Sequence, residues 1–286
     1  MTTTLPAATA RTGVVAAPAR FRHLLAAEWI KFWSLRSTYW VLGVGALTVV
    51  GINANSARSN ADRLSEQAAQ PPDGLGPDPA FAFDAMHTAF LDPAWQILMI
   101  VACSVGAIAV FGEYTSGLVR TTFTAVPDRR GVILAKVAVV GAVTTAVGVV
   151  VAGASFGLTQ AWLRDHGGVS IADSGALRAV AASALLAPLS ALIGMAIGAV
   201  VRHAAGSIVG AIVTLLLLPA LFQGETYRWV AEIGNAMPLS AWEALTGTHW
   251  GPGKYPVSVT EAWVVFGAWA LGAALTAVEA VRRRDV

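Results

Sequence analysis

The pattern in this sequence that looks most like an active site is GASFG, residues 153–157, which fits the G-x-S-x-G arrangement of serine hydrolases. That chemistry needs a strand-turn-helix around Ser155 and a histidine within hydrogen-bond reach. GASFG instead sits inside a long apolar run, and the five histidines (His23, His87, His166, His203 and His249) fall in loops or at interfaces. There is no H-E-x-x-H, and the histidines are too scattered to share a metal ion. The single cysteine, Cys103, excludes an internal disulfide framework and a Cys-based zinc site. No G-x-x-x-x-G-K-[ST] occurs, and GPGKYP around Lys254 lacks both the spacing and the hydroxyl. The chain therefore reads as no enzyme, with no cofactor of its own and no P-loop.

The remaining chemistry is charge, gathered in two places. One is EWIKFWSLR, residues 28–36; the other is GEYTSGLVRTTFTAVPDRRGVILAK, residues 112–136. The second is flanked by the uncharged stretches Pro93 to Gly112 and Val137 to Leu163. The whole chain is 56% hydrophobic and only 13% charged, where a soluble domain carries about 25%. Such a composition points to a membrane protein, and the net charge of +2 is too small to suggest a nucleic-acid partner.

A charge at mid-bilayer costs about 2.5–3.5 kcal/mol on insertion scales, so long charge-free gaps mark spans. Six gaps reach seventeen residues or more: 37–57, 93–112, 137–163, 179–201, 203–224 and 262–278. They predict an all-α polytopic membrane protein with helices at about 38–57, 93–112, 133–158, 179–201, 204–223 and 262–280, within one six-span domain over 20–286. Residues 1–19 read as a disordered tail. Six spans put both termini on one side. With the termini in the cytoplasm, thirteen Lys and Arg lie inside and six outside, and the acids divide five to twelve the other way. Trp29, Trp33 and Trp40 then flank the inner end of the first span, and Trp95, Trp162 and Trp263 mark outer ends with wet indole N–H groups. Only Trp269 lies deep in a span.

Residues 20–36 place Phe21, Leu24, Leu25, Trp29, Phe32 and Trp33 at helical spacing, which predicts an amphipathic helix in the inner interface with Arg22, His23, Lys31 and Ser34 off its apolar face. In the longer polar segment, Phe123 and Val126 read as the continuation of the second span. Pro127 ends it, and Asp128 is placed to cap the next helix. Arg129 and Arg130 would oppose that helix's dipole, so a topological or partner-binding role accounts for them better than local stability. Lys136, about a turn into the third span, is expected to snorkel back to water. AQPPDGLGPDP, 69–79, breaks regular structure in the first outer loop. Residues 225–261 predict two short amphipathic helices on the outer face, separated at Pro238 and either lying on the surface or dipping into the bilayer. Gly194/Gly198 and Gly206/Gly210 have the spacing of close helix packing.

At these residues the chain resembles a known family. EYTSGLVRTTFTAVPDRRGVILAK is similar to the cytoplasmic segment of ABC-2 type permeases, actinobacterial members in particular, through Glu113, Tyr114, Gly117, Arg120, Thr121, Thr122, Pro127, Arg129, Arg130, Ala135 and Lys136. EWIKFWSLRSTYW, 28–40, resembles the family's Glu-Trp-x-Lys-x-x-Ser-x-Arg-Ser-Thr segment, and Met237–Pro238 fits its Met-Pro turn. The sequence departs from the family at Phe32 and Trp33 and in the long first outer loop. The resemblance implies a plasma-membrane exporter subunit, working as a homodimer with a separate cytoplasmic ATPase. It also implies that Glu113, Tyr114, Gly117, Arg120, Pro127, Asp128, Arg129, Arg130 and Lys136 couple to that ATPase, supported by an interfacial helix carrying Glu28, Trp29, Lys31, Phe32, Trp33 and Arg36. Two other classes fit the residues alone: an ion-coupled carrier and a non-transporting scaffold. No lone charge sits at the middle of a span, which speaks against the carrier.

Overall fold

The computed structural model describes residues 20–69, 83–126, 128–224, 226–248 and 254–283, and among them there is no strand. Six helices are long and apolar enough to cross a membrane, so the chain is a multi-pass helical membrane protein. The tail 1–19 and nearly all of AQPPDGLGPDP lie outside the described residues.

A short helix, α1 (Phe21–Ser34), is separated by one extended residue, Leu35, from α2 (Arg36–Ala69). At 34 residues α2 is about 51 Å long, well beyond a hydrocarbon core of about 30 Å. The polar stretch after Arg58 therefore extends the first span as helix. The short α3 (Ala85–Ala89) leads into the second span, α4 (Asp92–Thr115). Next come α5 (Leu118–Ala125) and the third span, α6 (Arg129–Trp162). The fourth span, α7 (Ala176–Val201), turns back through Arg202 and His203 into α8 (Ala204–Ile212). This is the tight hairpin that the short polar gap predicts. The fifth span continues from α8 through a π-helical turn, Val213–Leu217, into α9 (Leu218–Leu221). Two short helices, α10 (Arg228–Asn235) and α11 (Pro238–Thr246), precede the last span, α12 (Val259–Arg283).

The hub is α7, packed by α4, α6, α12 and α11. Its most apolar stretch is 72% buried, against 22% for the fifth and sixth spans, which stand at the periphery. Small residues make the hub possible. A Cβ on Gly194 would strike the Cys103 carbonyl of α4, and one on Gly106 the Ala191 carbonyl of α7. Of the two predicted glycine pairs, Gly194/Gly198 thus faces backbone, whereas Gly206 faces the side chains of Val201 and His203, and Gly210 that of Ile197.

The far end, away from α1, differs from expectation. Both helices of 225–261 exist, but α11 turns into the bundle and buries Leu239, Trp242 and Leu245 against α7 and α12 instead of lying on the outer face. The Trp242 indole donates to Ser183 Oγ at 2.9 Å and packs 5.8 Å from Trp95. Trp95 is itself fully buried, not wet, because α11 covers it. Trp269, deep in α12, donates to the Ala236 carbonyl at 2.7 Å and ties the turn between α10 and α11 to the last span. Ser155 lies inside α6 and accepts from Asn53 Nδ2 of α2 at 3.1 Å. It is a buried helix-helix contact, not a nucleophile on a turn.

Candidate functional site

The two charged stretches meet at the α1 end of the bundle. Leu24, Glu28 and Phe32, spaced four apart, form the buried stripe of α1, and Leu24 packs on Val132 and Ala135 of α6. That register sets Glu28 against Lys136. Lys136 Nζ forms ion pairs with Glu28 Oε2 and, at 2.9 Å, with Glu113 Oε1 at the end of α4. Lys31 Nζ reaches Glu28 Oε1 at 2.8 Å and the same Glu113 oxygen at 3.0 Å. Two carboxylates and two ammoniums thus cross-link α1, α4 and α6. The Glu28 and Lys136 side chains are 4% and 5% exposed, Glu113 15% and Lys31 34%. Burial works against the Lys31 ammonium, but the Glu28 hydrogen bond and the charges of Glu113 and Glu28 outweigh it. Its pKa therefore lies above the ordinary lysine value.

The network borders a cavity of about 260 Å³ between α1, the start of α2, α4 and α6. Its walls include Phe32, Leu35, Val105, Ile108, Ala109 and Val140, and its polar lining is Ser34, Thr38, Ser116 and the four charged residues.

Three expectations are corrected here. Lys136 does not snorkel to water, because Glu28 and Glu113 satisfy it within the protein. The second span does not run on to Phe123. It stops at Thr115, where the hydroxyls of Thr115 and Ser116 both donate to the Gly112 carbonyl. Gly117 then adopts a left-handed conformation (φ 72°), which a residue with a side chain tolerates poorly. Phe123 and Val126 belong instead to α5 and its C-terminal turn, packed on Leu24, Val132 and Ala135. Finally, the apolar residues of α1 do not form one face. Leu24 and Phe32 point into the protein, while Phe21, Trp29 and Trp33 are exposed on the outside, with Trp29 and Trp33 edge-to-face at 5.7 Å.

The other predicted residues surround this core. Asp128 accepts from Gly131 N–H at 3.0 Å and caps α6, as its placement after Pro127 implies. Arg129 lies 5.2 Å from the Phe123 ring, and Arg130 and Arg36 are exposed. Arg120 belongs to α5; its side chain, and all of Pro127, lie outside the described residues. Tyr114 pairs with a residue that sequence reasoning treated only as a loop charge. The Arg202 guanidinium sits 4.3 Å over its ring, and Arg202 itself is left-handed at φ 56°. This stack brings the α7–α8 hairpin to the end of α4. The sequence named all four network residues but not their pairing. The available signal was scarcity: Glu28 and Glu113 are two of only five acids among the segments predicted to be cytoplasmic, which hold thirteen bases.

Comparison with models of known protein families and with curated proteins gives no match to this chain.

Proposed function

We propose that the chain is the membrane-spanning permease subunit of an ATP-driven exporter of the ABC-2 type. On this reading it forms a substrate pathway as a homodimer in the plasma membrane, has both termini in the cytoplasm, and is driven by a separate ATPase subunit. The observation that supports it best is the four-charge network. The segment between α4 and α6 is anchored at one end by Glu113 and at the other by Lys136, and both are fastened to α1 through Glu28 and Lys31. A push on α5 from a cytoplasmic partner therefore reaches two spans and the interfacial helix together, instead of being absorbed by a slack loop. The exposed Arg130 and the Arg129–Phe123 stack give that partner a basic surface.

The test is co-expression with a candidate P-loop ATPase, purification in mild detergent, and transport in vesicles. Co-purification with ATP-dependent transport is expected. Arg129→Glu with Arg130→Glu should insert normally and weaken ATPase association, while Arg63→Glu, a reversal on exposed α2 at the far end, should not. Single exposed ion pairs are worth only about 0.2–1 kcal/mol, so the double reversal is the informative one. Transport driven by an ion gradient without ATP would favour the carrier class instead. No transport and no ATPase association would leave a scaffold.

A further inference from the structure

The cavity beneath α1 has polar valence that the protein leaves unused. Glu113 receives both lysines on Oε1, and its Oε2 has no partner among the described residues. Lys31 spends two of its three N–H donors, on Glu28 and Glu113, and is one-third exposed. Thr38, only 7% exposed, lines the same cavity, and its hydroxyl has no partner among the described residues.

The charges of Glu28, Glu113, Lys31 and Lys136 already sum to zero. A ligand carrying net charge of either sign would leave that charge uncompensated beside groups that are out of water. A zwitterion would not. The walls, Phe32, Val105, Ile108, Ala109 and Val140, demand an apolar tail. The level of the site follows from Trp29, Trp33, Tyr39 and Trp40, all exposed on α1 and the start of α2. Indole and phenol side chains collect at the headgroup layer of a membrane.

From this juxtaposition of an unused carboxylate oxygen, an unused ammonium donor and an apolar cavity at headgroup level, we infer that the site binds a zwitterionic aminophospholipid. Its ammonium donates to Glu113 Oε2, its phosphate accepts from Lys31, and one acyl chain lies between α1, α4 and α6. Phosphatidylcholine is also zwitterionic but has no N–H to donate. Phosphatidylglycerol lacks the cation. The inference holds whether or not the chain is an exporter, because its readout is lipid retention alone.

Native mass spectrometry of the full chain tests it, with phosphatidylethanolamine, phosphatidylcholine and phosphatidylglycerol of identical acyl chains. Phosphatidylethanolamine should be retained about tenfold better than either, the worth of one charge-assisted hydrogen bond. Ala109→Phe fills the cavity from α4 without altering a charge, and should abolish the preference. If that variant fails to fold, Ile108→Trp fills the same space from the neighbouring position. Equal retention of the three lipids overturns the inference, and so does a preference that survives cavity filling in a folded variant.

Discussion

Replacing Lys136 with methionine keeps most of the side-chain volume and removes one ammonium. Glu28, 4% exposed, and Glu113 would then share Lys31 alone, and the cluster would carry a net buried negative charge. Breaking a buried ion pair on one side typically costs about 3–5 kcal/mol, because the stranded charge cannot return to water. Adding Glu28→Gln restores neutrality and leaves Glu113 with Lys31, so the double variant should be destabilised by less than the sum of the singles. The chain carries its own reporter. Cys103 is the only cysteine, fully buried in α4 where Gly194 of α7 approaches its carbonyl, and it reacts with a fluorogenic maleimide once α4 and α7 separate. On heating in detergent, Lys136→Met should expose Cys103 on the order of 10 °C below wild type, by the scaling of soluble domains. Lys31→Met should fall between them, since Lys31 is already one-third exposed. A Lys136→Met midpoint within about 2 °C of wild type would refute a structural role for the network. A double variant as unstable as the sum of the singles would refute the charge-balance argument.

Gly194→Val should prevent assembly of the bundle, whereas Gly141→Ala, with open space around its Cβ, should match or slightly exceed wild type; expression and gel-filtration profiles distinguish the two. Because the folded pKa of Lys31 is raised, its contribution is fully present below the ordinary lysine value of 10.5 and is lost only as pH rises through the folded value. The difference in melting between wild type and Lys31→Met, followed by circular dichroism, should thus be constant between about pH 7 and pH 9, and a loss within that range would contradict it. Cysteines at Ser59 and Gly247 should react with an impermeant thiol reagent in intact cells, while one at Thr124 should not; labelling of Thr124 alone would invert the orientation.

The spans were legible because charge in hydrocarbon is so costly that its absence writes a one-dimensional signal. Asp128 was legible for a similar reason, since an Asp after a proline has a local job that needs no distant partner. Most of the errors share one cause, which is that a membrane presents three environments and periodicity separates only two. On α1, Trp29 and Trp33 face outward and Phe32 faces protein, yet all three look alike in a hydrophobic pattern. On α11, the apolar face that could have rested on lipid instead covers Trp95. Lys136 posed the hardest case. Snorkelling and pairing predict the same residue at the same place, and the choice depends on Glu28, 108 residues away in sequence. The stop at Gly117, by contrast, was readable: Thr-Ser-Gly after an apolar run is a C-terminal cap that positive φ favours.

The same comparison bears on why the charges are there at all. An apolar quartet of similar volume would hold α1, α4 and α6 together at least as well, since ion pairs out of water repay their desolvation poorly. What Leu or Met could not supply is register. Glu28 meets Lys136 and Lys31 through different oxygens, and Glu113 takes both lysines on one, so sliding α1 by a single turn along α6 would break both pairs that leave α1, Glu28–Lys136 and Lys31–Glu113, at once. Apolar surfaces slide with little penalty; this arrangement is satisfied in one alignment. On the proposed exporter reading, α1 transmits movement to two spans and needs that property more than it needs adhesion. If coupling is what the network serves, the Lys136→Met and Glu28→Gln double variant should recover much of the stability lost by the single change and still fail to transmit, assembling with its ATPase but uncoupling hydrolysis from transport. Recovery of both stability and coupled transport would reduce the network to adhesion alone.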